Sequence, residues 1–133
     1  VIGHRAHKMK FDLNKKLLPY GEWDYETSCD VAGHDIFMTT GGGTFFPSSC
    51  LNDEVTNSKI FLSICPFADD IWVKAMLLLS GTQCKKVSDA RDFRRTFLMI
   101  AHSQDIALSY SNTLNERNDS QLSDVFNRYN LDC

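Results

Sequence analysis

The fold of this chain is decided by residues 66–81, which read PFADDIWVKAMLLLSG. Two adjacent carboxylates, Asp69 and Asp70, stand before an almost wholly apolar run that is interrupted by the charge of Lys74. The apolar positions recur with helical spacing and extend round the cylinder, so the segment predicts a helix that is buried on most sides. Gly81 can take the left-handed conformation that ends a helix, and the acidic pair marks the start.

The acidic pair allows two interpretations. Exposed N–H groups and the positive end of the helix dipole favour ionised carboxylates at a helix start, so either aspartate can serve as a simple cap. An ionised carboxylate can also accept a proton. Pro66 before the pair, the buried helix after it and a triple glycine upstream favour a rigid platform that points acid groups into a cleft.

Composition and charge limit the class of protein. The 133 residues are 43% hydrophobic, which suits a single domain over residues 1–133 with one core. The formal charge is -3 and the basic residues are scattered, so no nucleic-acid partner is expected. No apolar run in these residues is long enough to span a bilayer, and their opening does not have the charged-then-apolar pattern expected of a signal peptide. We expect a cytoplasmic protein, with the inner face of the membrane as an alternative location.

Five cysteines form no Cys-x-x-Cys pair and are odd in number, which disfavours a disulfide framework or a zinc site. Cys65 and Cys84 lie among apolar residues and are typical of small buried side chains in a reducing compartment. No metal site is predicted within these residues. The chain begins with Val1 followed by Ile2, which reads as the middle of a strand, so we expect a partial chain.

The remaining pattern alternates short strands, turns and helices. A hairpin is predicted from a strand within residues 1–11, a turn at 12–14 and a short strand at 17–18. Residues 36–40 are a further strand, 85–88 a weak one, and helices are predicted for 47–54, from Asn57-Ser58 through Ile64, for 103–110 and from Asp119 onward. The prediction is an α/β fold.

Five landmarks in order resemble a group of bacterial glycosyltransferases of capsule or lipopolysaccharide biosynthesis. They are Arg5-Ala6-His7, Pro19-Tyr20-Gly21-Glu22-Trp23, Gly41-Gly42-Gly43-Thr44-Phe45-Phe46-Pro47, Pro66-Phe67-Ala68-Asp69-Asp70-Ile71-Trp72 and Asn118-Asp119-Ser120-Gln121-Leu122. The resemblance covers nearly the whole chain. It implies part of a GT-A type (nucleotide-diphospho-sugar transferase) fold, a mixed sheet with flanking helices, and places these residues in the C-terminal, acceptor-side half.

The resemblance also implies an activity. Such an enzyme transfers a hexose from a nucleotide-sugar donor to a hydroxyl of a glycan acceptor. By analogy with inverting GT-A enzymes, Asp70 would act as the base and Asp69 would orient acceptor hydroxyls. Mn²⁺ or Mg²⁺ is expected for the full enzyme, with ligands in an Asp-rich motif upstream of this chain. The alternative is a catalytically incomplete sugar-binding or partner-binding fragment that lacks the metal motif and would need the missing N-terminal half.

The glycine triplet Gly41, Gly42 and Gly43 would let a sugar approach the backbone closely, although a plain tight turn explains it equally well. Trp23 lies in a polar loop and is the better candidate for stacking on a sugar ring. Trp72 is a second candidate, but one turn into a buried helix it is as readily a core residue.

Arg5 and His7 share one face of the first strand segment. On that face they could meet the phosphate of a donor nucleotide. Most histidines in such a position are structural and hydrogen-bonded, and this is the first expectation for His7. Contact with phosphate is the alternative.

Overall fold

The structure, a computed structural model, describes residues 1–88, 100 and 117–131. These residues form a mixed α/β fold. The strands are β1 Ile2–Gly3, β2 Ala6–Lys8, β3 Ile36–Met38, β4 Thr44–Phe45 and β5 Lys85–Lys86, and the helices are α1 Ser58–Ile64, α2 Asp69–Leu79 and α3 Arg117–Tyr129. Short 3-10 helices cover Tyr20–Glu22, Thr40–Gly42 and Asp53–Thr56. The predicted α/β class is therefore confirmed.

The strands pair in two small sheets. In the first, β1 lies between β4, to which it is antiparallel, and β5, to which it is parallel. In the second, β2 and β3 run antiparallel. The predicted hairpin is confirmed in part, since Phe11 and Leu17 form an antiparallel bridge across the turn and the N–H of Leu18 donates to the carbonyl of Lys10 at 2.8 Å, but β2 itself pairs with β3. Ala6 of β2 and Ile36 of β3 are both fully buried. Burial of these side chains therefore favours the pairing of β2 with β3, which is distant in the sequence.

The helix α2 begins at Asp69 and ends at Leu79, as predicted. Gly81 has a φ of 63°, and its N–H donates to the carbonyl of Leu78 at 2.9 Å while the N–H of Thr82 donates to Leu77 at 2.9 Å. This pair of bonds is a Schellman motif. The predicted burial is confirmed as well, since most of the helix from Ile71 to Leu77 is inaccessible.

Lys74 is the unexpected member of this buried surface, with 1% of its area exposed. Its Nζ donates to the carbonyl oxygen of His34 at 2.5 Å and to that of Ile36 at 2.9 Å. Because a buried ammonium is costly unless its donors are used, these bonds make the side chain a tether from α2 to the start of β3.

The other helices follow the predictions in part. The helix α1 starts after Asn57, as predicted. The helix predicted for residues 47–54 is wrong for residues 47–52, which are not helical. The side chain of Asn52 accepts from the N–H of Glu54 at 3.0 Å, and a 3-10 helix begins there instead. The helix α3 buries Leu122 and Val125 against α2. The helix predicted for residues 103–110 lies outside the described residues. Cys65 and Cys84 are buried, as predicted.

Candidate functional site

The two aspartates at the start of α2 differ in their surroundings. Ala68 occupies the N-cap, and no side chain caps this helix. Asp69 is exposed, whereas Asp70 is half-buried and turns away to Thr40, with its Oδ1 accepting from the Thr40 N–H at 2.9 Å and from the Thr40 hydroxyl at 2.5 Å. Among the described residues, hydrogen bonds reach Oδ1 of Asp70 and leave Oδ2 without one.

The electrostatics of Asp70 differ from the sequence-based expectation. A helix start favours the ionised form, yet burial raises the pKa of the Asp70 carboxyl above its usual value and is the largest influence on it. The hydrogen bonds from Thr40 and the charge of Arg5 act in the opposite direction, and the charge of Asp69 adds to the rise. Asp70 is therefore a stronger base than an exposed aspartate, with one oxygen fixed in place.

The triple glycine forms the turn that presents Thr40 to Asp70. Gly43 has a φ of 88°, which accounts for glycine there by backbone geometry alone. Gly41 has no such requirement, and a Cβ added to it would meet nothing within 4 Å. Gly42 is buried. The tight-turn interpretation therefore explains Gly43, while the open space at Gly41, directly after Thr40, agrees with a surface that a ligand can approach.

Arg5 lies beside this turn. Its Nε and Nη2 both donate to Oε1 of Glu26 at 3.2 Å, and its Nη1 donates to the hydroxyl of Thr39 at 3.4 Å. The side chain of Arg5 is 30% exposed and that of Glu26 is 34% exposed. The guanidinium is thus held at the surface between the Thr40–Gly42 turn and the loop that follows Trp23.

His7 is not placed to bind an anion. It is 1% exposed, and its Nδ1 accepts the N–H of Glu26 at 2.9 Å. Burial, followed by the charge of Arg5, lowers the pKa of His7 from 6.5 to about 4. The imidazole is therefore neutral near pH 7, and the structural role replaces the phosphate contact considered from the sequence.

The two tryptophans are core residues, and the sugar-stacking role predicted for Trp23 does not fit its burial. Both indoles are 4% exposed. The Nε1 of Trp23 donates to the carbonyl of Leu18 at 2.9 Å, and that of Trp72 donates to the carbonyl of Val55 at 3.0 Å. The polar neighbours of Trp23 in the sequence do not reveal that its loop folds back over β3, where Phe37 contacts the indole.

Tyr25 is an exposed aromatic residue that the sequence did not indicate as a site residue. Its ring is 48% exposed and packs against His7 with centroids 4.6 Å apart. Tyr20 lies edge-on to Tyr25 at 5.5 Å, and burial raises the pKa of its hydroxyl. The charge of Asp70 adds to that rise, so Tyr20 lies near the acidic pair. Tyr20 belongs to a sequence landmark, which is the signal that could have identified it.

The last landmark, residues 118–122, connects two of the others. The Asp119 Oδ1 accepts the N–H of Tyr20 at 2.6 Å. The buried amide of Gln121 accepts the N–H of Phe67 at 2.8 Å and donates to the carbonyl of Arg117 at 3.0 Å. The first turns of α3 therefore hold both the Tyr20 segment and the loop that leads into Asp69 and Asp70. Sequence spacing alone contains no signal for this connection.

A cavity of about 670 Å³ lies next to this region but does not include it. It is formed between the turn Asp12–Lys16 and α3, with Pro19 and Asp119 at its edge, and Asp70 does not line it. The acidic pair thus lies outside this cavity, where Asp70 contacts Thr40 next to Gly41.

In the described part of the chain, no group of three His, Cys, Asp or Glu side chains could hold a metal ion. None of the helices within that part is long and apolar enough to cross a membrane.

Comparison of the chain with protein-family models, with curated proteins and with solved structures finds no match.

Proposed function

We propose that this chain is the acceptor-side part of a glycosyltransferase, in which Asp70 accepts the proton of the attacking acceptor hydroxyl. The observation that carries the proposal is the state of Asp70. Its pKa is raised by burial, Oδ1 is fixed by Thr40, and no described residue donates a hydrogen bond to Oδ2. A general base works best when its pKa is shifted toward the working pH and its position is fixed.

The reaction would be a single displacement. The acceptor oxygen forms a bond to C1 of the donor hexose while the bond from C1 to the diphosphate breaks, and the diphosphate leaves with the electron pair. The acceptor proton passes to Oδ2 of Asp70. Attack on the face opposite the leaving group inverts C1. A positioned base of this kind contributes about 10²–10⁴ in rate.

The surrounding residues have separate roles in this proposal. Asp69 is exposed beside Asp70 and would accept hydrogen bonds from other hydroxyls of the acceptor. Gly41 leaves open space next to Thr40, through which a sugar could reach the carboxylate. The exposed ring of Tyr25 takes over the stacking role considered for Trp23, because an aromatic face pairs well with the apolar face of a sugar.

Donor activation is assigned to groups outside the described residues. Mn²⁺ or Mg²⁺ would supply the positive charge that stabilises the departing diphosphate. The described residues do not offer a three-ligand group for such an ion. The charge of Arg5 acts on Asp70, and the Arg5 side chain is held by Glu26.

The test is transfer from a panel of nucleotide sugars by the natural full-length protein, with Mn²⁺ or Mg²⁺ present. Asp70→Asn keeps an oxygen for Thr40 but cannot accept the proton, so transfer should fall about 10²- to 10⁴-fold with folding unchanged. The control Asp53→Asn changes an exposed aspartate at the start of another short helix and should leave transfer intact. Full activity of Asp70→Asn, or no transfer by the wild type from any donor, would refute the proposal.

A further inference from the structure

The cavity between the turn Asp12–Lys16 and α3 has no part in the chemistry proposed above. Its volume of about 670 Å³ falls within the range of small-ligand sites, which run from roughly 300 to 1,000 Å³. Its lining is mixed. Phe11, Leu17, Leu122 and Phe126 contribute apolar side chains, and both the 11–19 segment and α3 also contribute polar ones.

One wall is a polar stripe of α3 and the residue after it. Ser123, Asn127 and Asn130 all line the cavity, and the Nδ2 of Asn127 donates to the hydroxyl of Ser123 at 3.2 Å. Hydroxyl and amide groups of this kind both donate and accept hydrogen bonds. Together with the apolar side chains of the lining, these groups match a ligand that carries several hydroxyl groups on a ring with an apolar face.

The opposite wall carries positive charge. Lys15 and Lys16 line the cavity, and both are exposed. Their turn is fixed by Asp12, whose Oδ1 accepts from the N–H of Asn14 at 2.8 Å and from that of Lys16 at 2.9 Å. The one carboxylate in the lining, Asp119, is engaged with the N–H of Tyr20. The described lining therefore contains two lysines and one carboxylate that already accepts a hydrogen bond, which favours an anionic ligand.

We propose that this cavity binds a small anionic sugar, with its phosphate or carboxylate group at Lys15 and Lys16 and its hydroxyl groups along Ser123, Asn127 and Asn130. The chain as a whole has a net charge of -3, so attraction of an anion here is a local property of this turn and not of the overall charge. The inference does not depend on the glycosyltransferase proposal, because it concerns binding alone.

Binding is tested by NMR titration of the isotopically labelled whole chain with glucose 1-phosphate, glucuronate, glucose and inorganic phosphate as separate probes. We expect glucose 1-phosphate or glucuronate to shift amides of residues 11–19 and 122–131, and the stronger of the two identifies the anionic group. Glucose alone and inorganic phosphate alone should bind about tenfold more weakly or worse, since each lacks half of the contacts.

Two pairs of variants locate the site. Lys15→Ala with Lys16→Ala should weaken binding about tenfold, whereas Lys85→Ala with Lys86→Ala removes a similar lysine pair elsewhere and should not. Ser123→Phe places a ring in the cavity from an exposed helix position and should abolish binding, whereas Ser120→Phe changes an exposed serine of the same helix outside the cavity.

Three results would overturn the inference. They are no shifts in the two segments with either anionic sugar at millimolar concentration, equal binding of inorganic phosphate, and unchanged binding by Ser123→Phe. Lys15, Lys16 and Ser123 are all exposed, so these substitutions should leave the chain folded.

Discussion

Acidification should destabilise this protein by charging His7. The imidazole is 1% exposed, and its Nδ1 accepts the N–H of Glu26. Protonation of Nδ1 would therefore break this hydrogen bond and leave a buried positive charge. Burial and then the charge of Arg5 lower its pKa from 6.5 to about 4. The folded chain binds this proton less readily than the unfolded chain does, so the stability that His7 contributes is present above about pH 6.5 and is lost as the pH falls toward 4.

The size of the loss follows from the two pKa values. Each unit of difference between the folded and unfolded states is worth about 1.4 kcal/mol. The fall from 6.5 to about 4 therefore corresponds to about 3 kcal/mol, of which about 2 kcal/mol is lost by about pH 5. Small domains have a total stability of about 5–15 kcal/mol, so this single group is a large share of it.

The assay is urea unfolding of the wild type and of His7→Gln at several values between about pH 7.5 and 4. Glutamine keeps an acceptor for Glu26 but does not titrate, so the difference in unfolding free energy between the two proteins should shrink by about 3 kcal/mol across this range. His4→Gln removes an exposed histidine from the same region and should retain the pH dependence of the wild type. A difference that stays constant with pH, or a His7 ring that titrates near pH 6 in the folded chain, would refute the reasoning.

Three further predictions concern the surroundings of Asp70. Thr40→Val removes the hydroxyl donor to Asp70, so the pKa of that carboxyl should rise further and the unfolding free energy at neutral pH should fall by about 1.5–3 kcal/mol. Thr40→Ser should behave as the wild type, and an unchanged carboxyl titration in the valine variant would contradict the assignment. Gly41→Ala should raise the unfolding free energy by about 0.4–1 kcal/mol and yet reduce transfer. The control Gly81→Ala, at a φ of 63°, should lower the unfolding free energy by about 1–2 kcal/mol. Its transfer activity should be unchanged at a temperature where the variant is folded. Gln121→Leu leaves the N–H of Phe67 without its acceptor, and hydrogen exchange at that amide should accelerate together with a loss of about 1–3 kcal/mol. Unchanged protection of Phe67 in this variant would show that α3 does not hold the loop before Asp69.

Two helices are determined by patterns that are local in the sequence. The helix from Asp69 to Leu79, its glycine stop and its burial follow from the local sequence, and α1 starts at Ser58 as predicted, although the side chain of Asn57 makes no capping hydrogen bond. These features depend on residues within a few positions of one another, so the sequence determines them alone.

Only the tertiary structure decided which distant groups meet. The pairing of β2 with β3, the packing of Trp23 against Phe37 and the neutral state of His7 depend on segments far apart in the chain. Asp70 shows the reason most clearly. The sequence places a carboxylate at a helix start, where the dipole favours its charge, but contact with Thr40 thirty residues away and burial in the fold determine its basicity and which oxygen remains for a ligand.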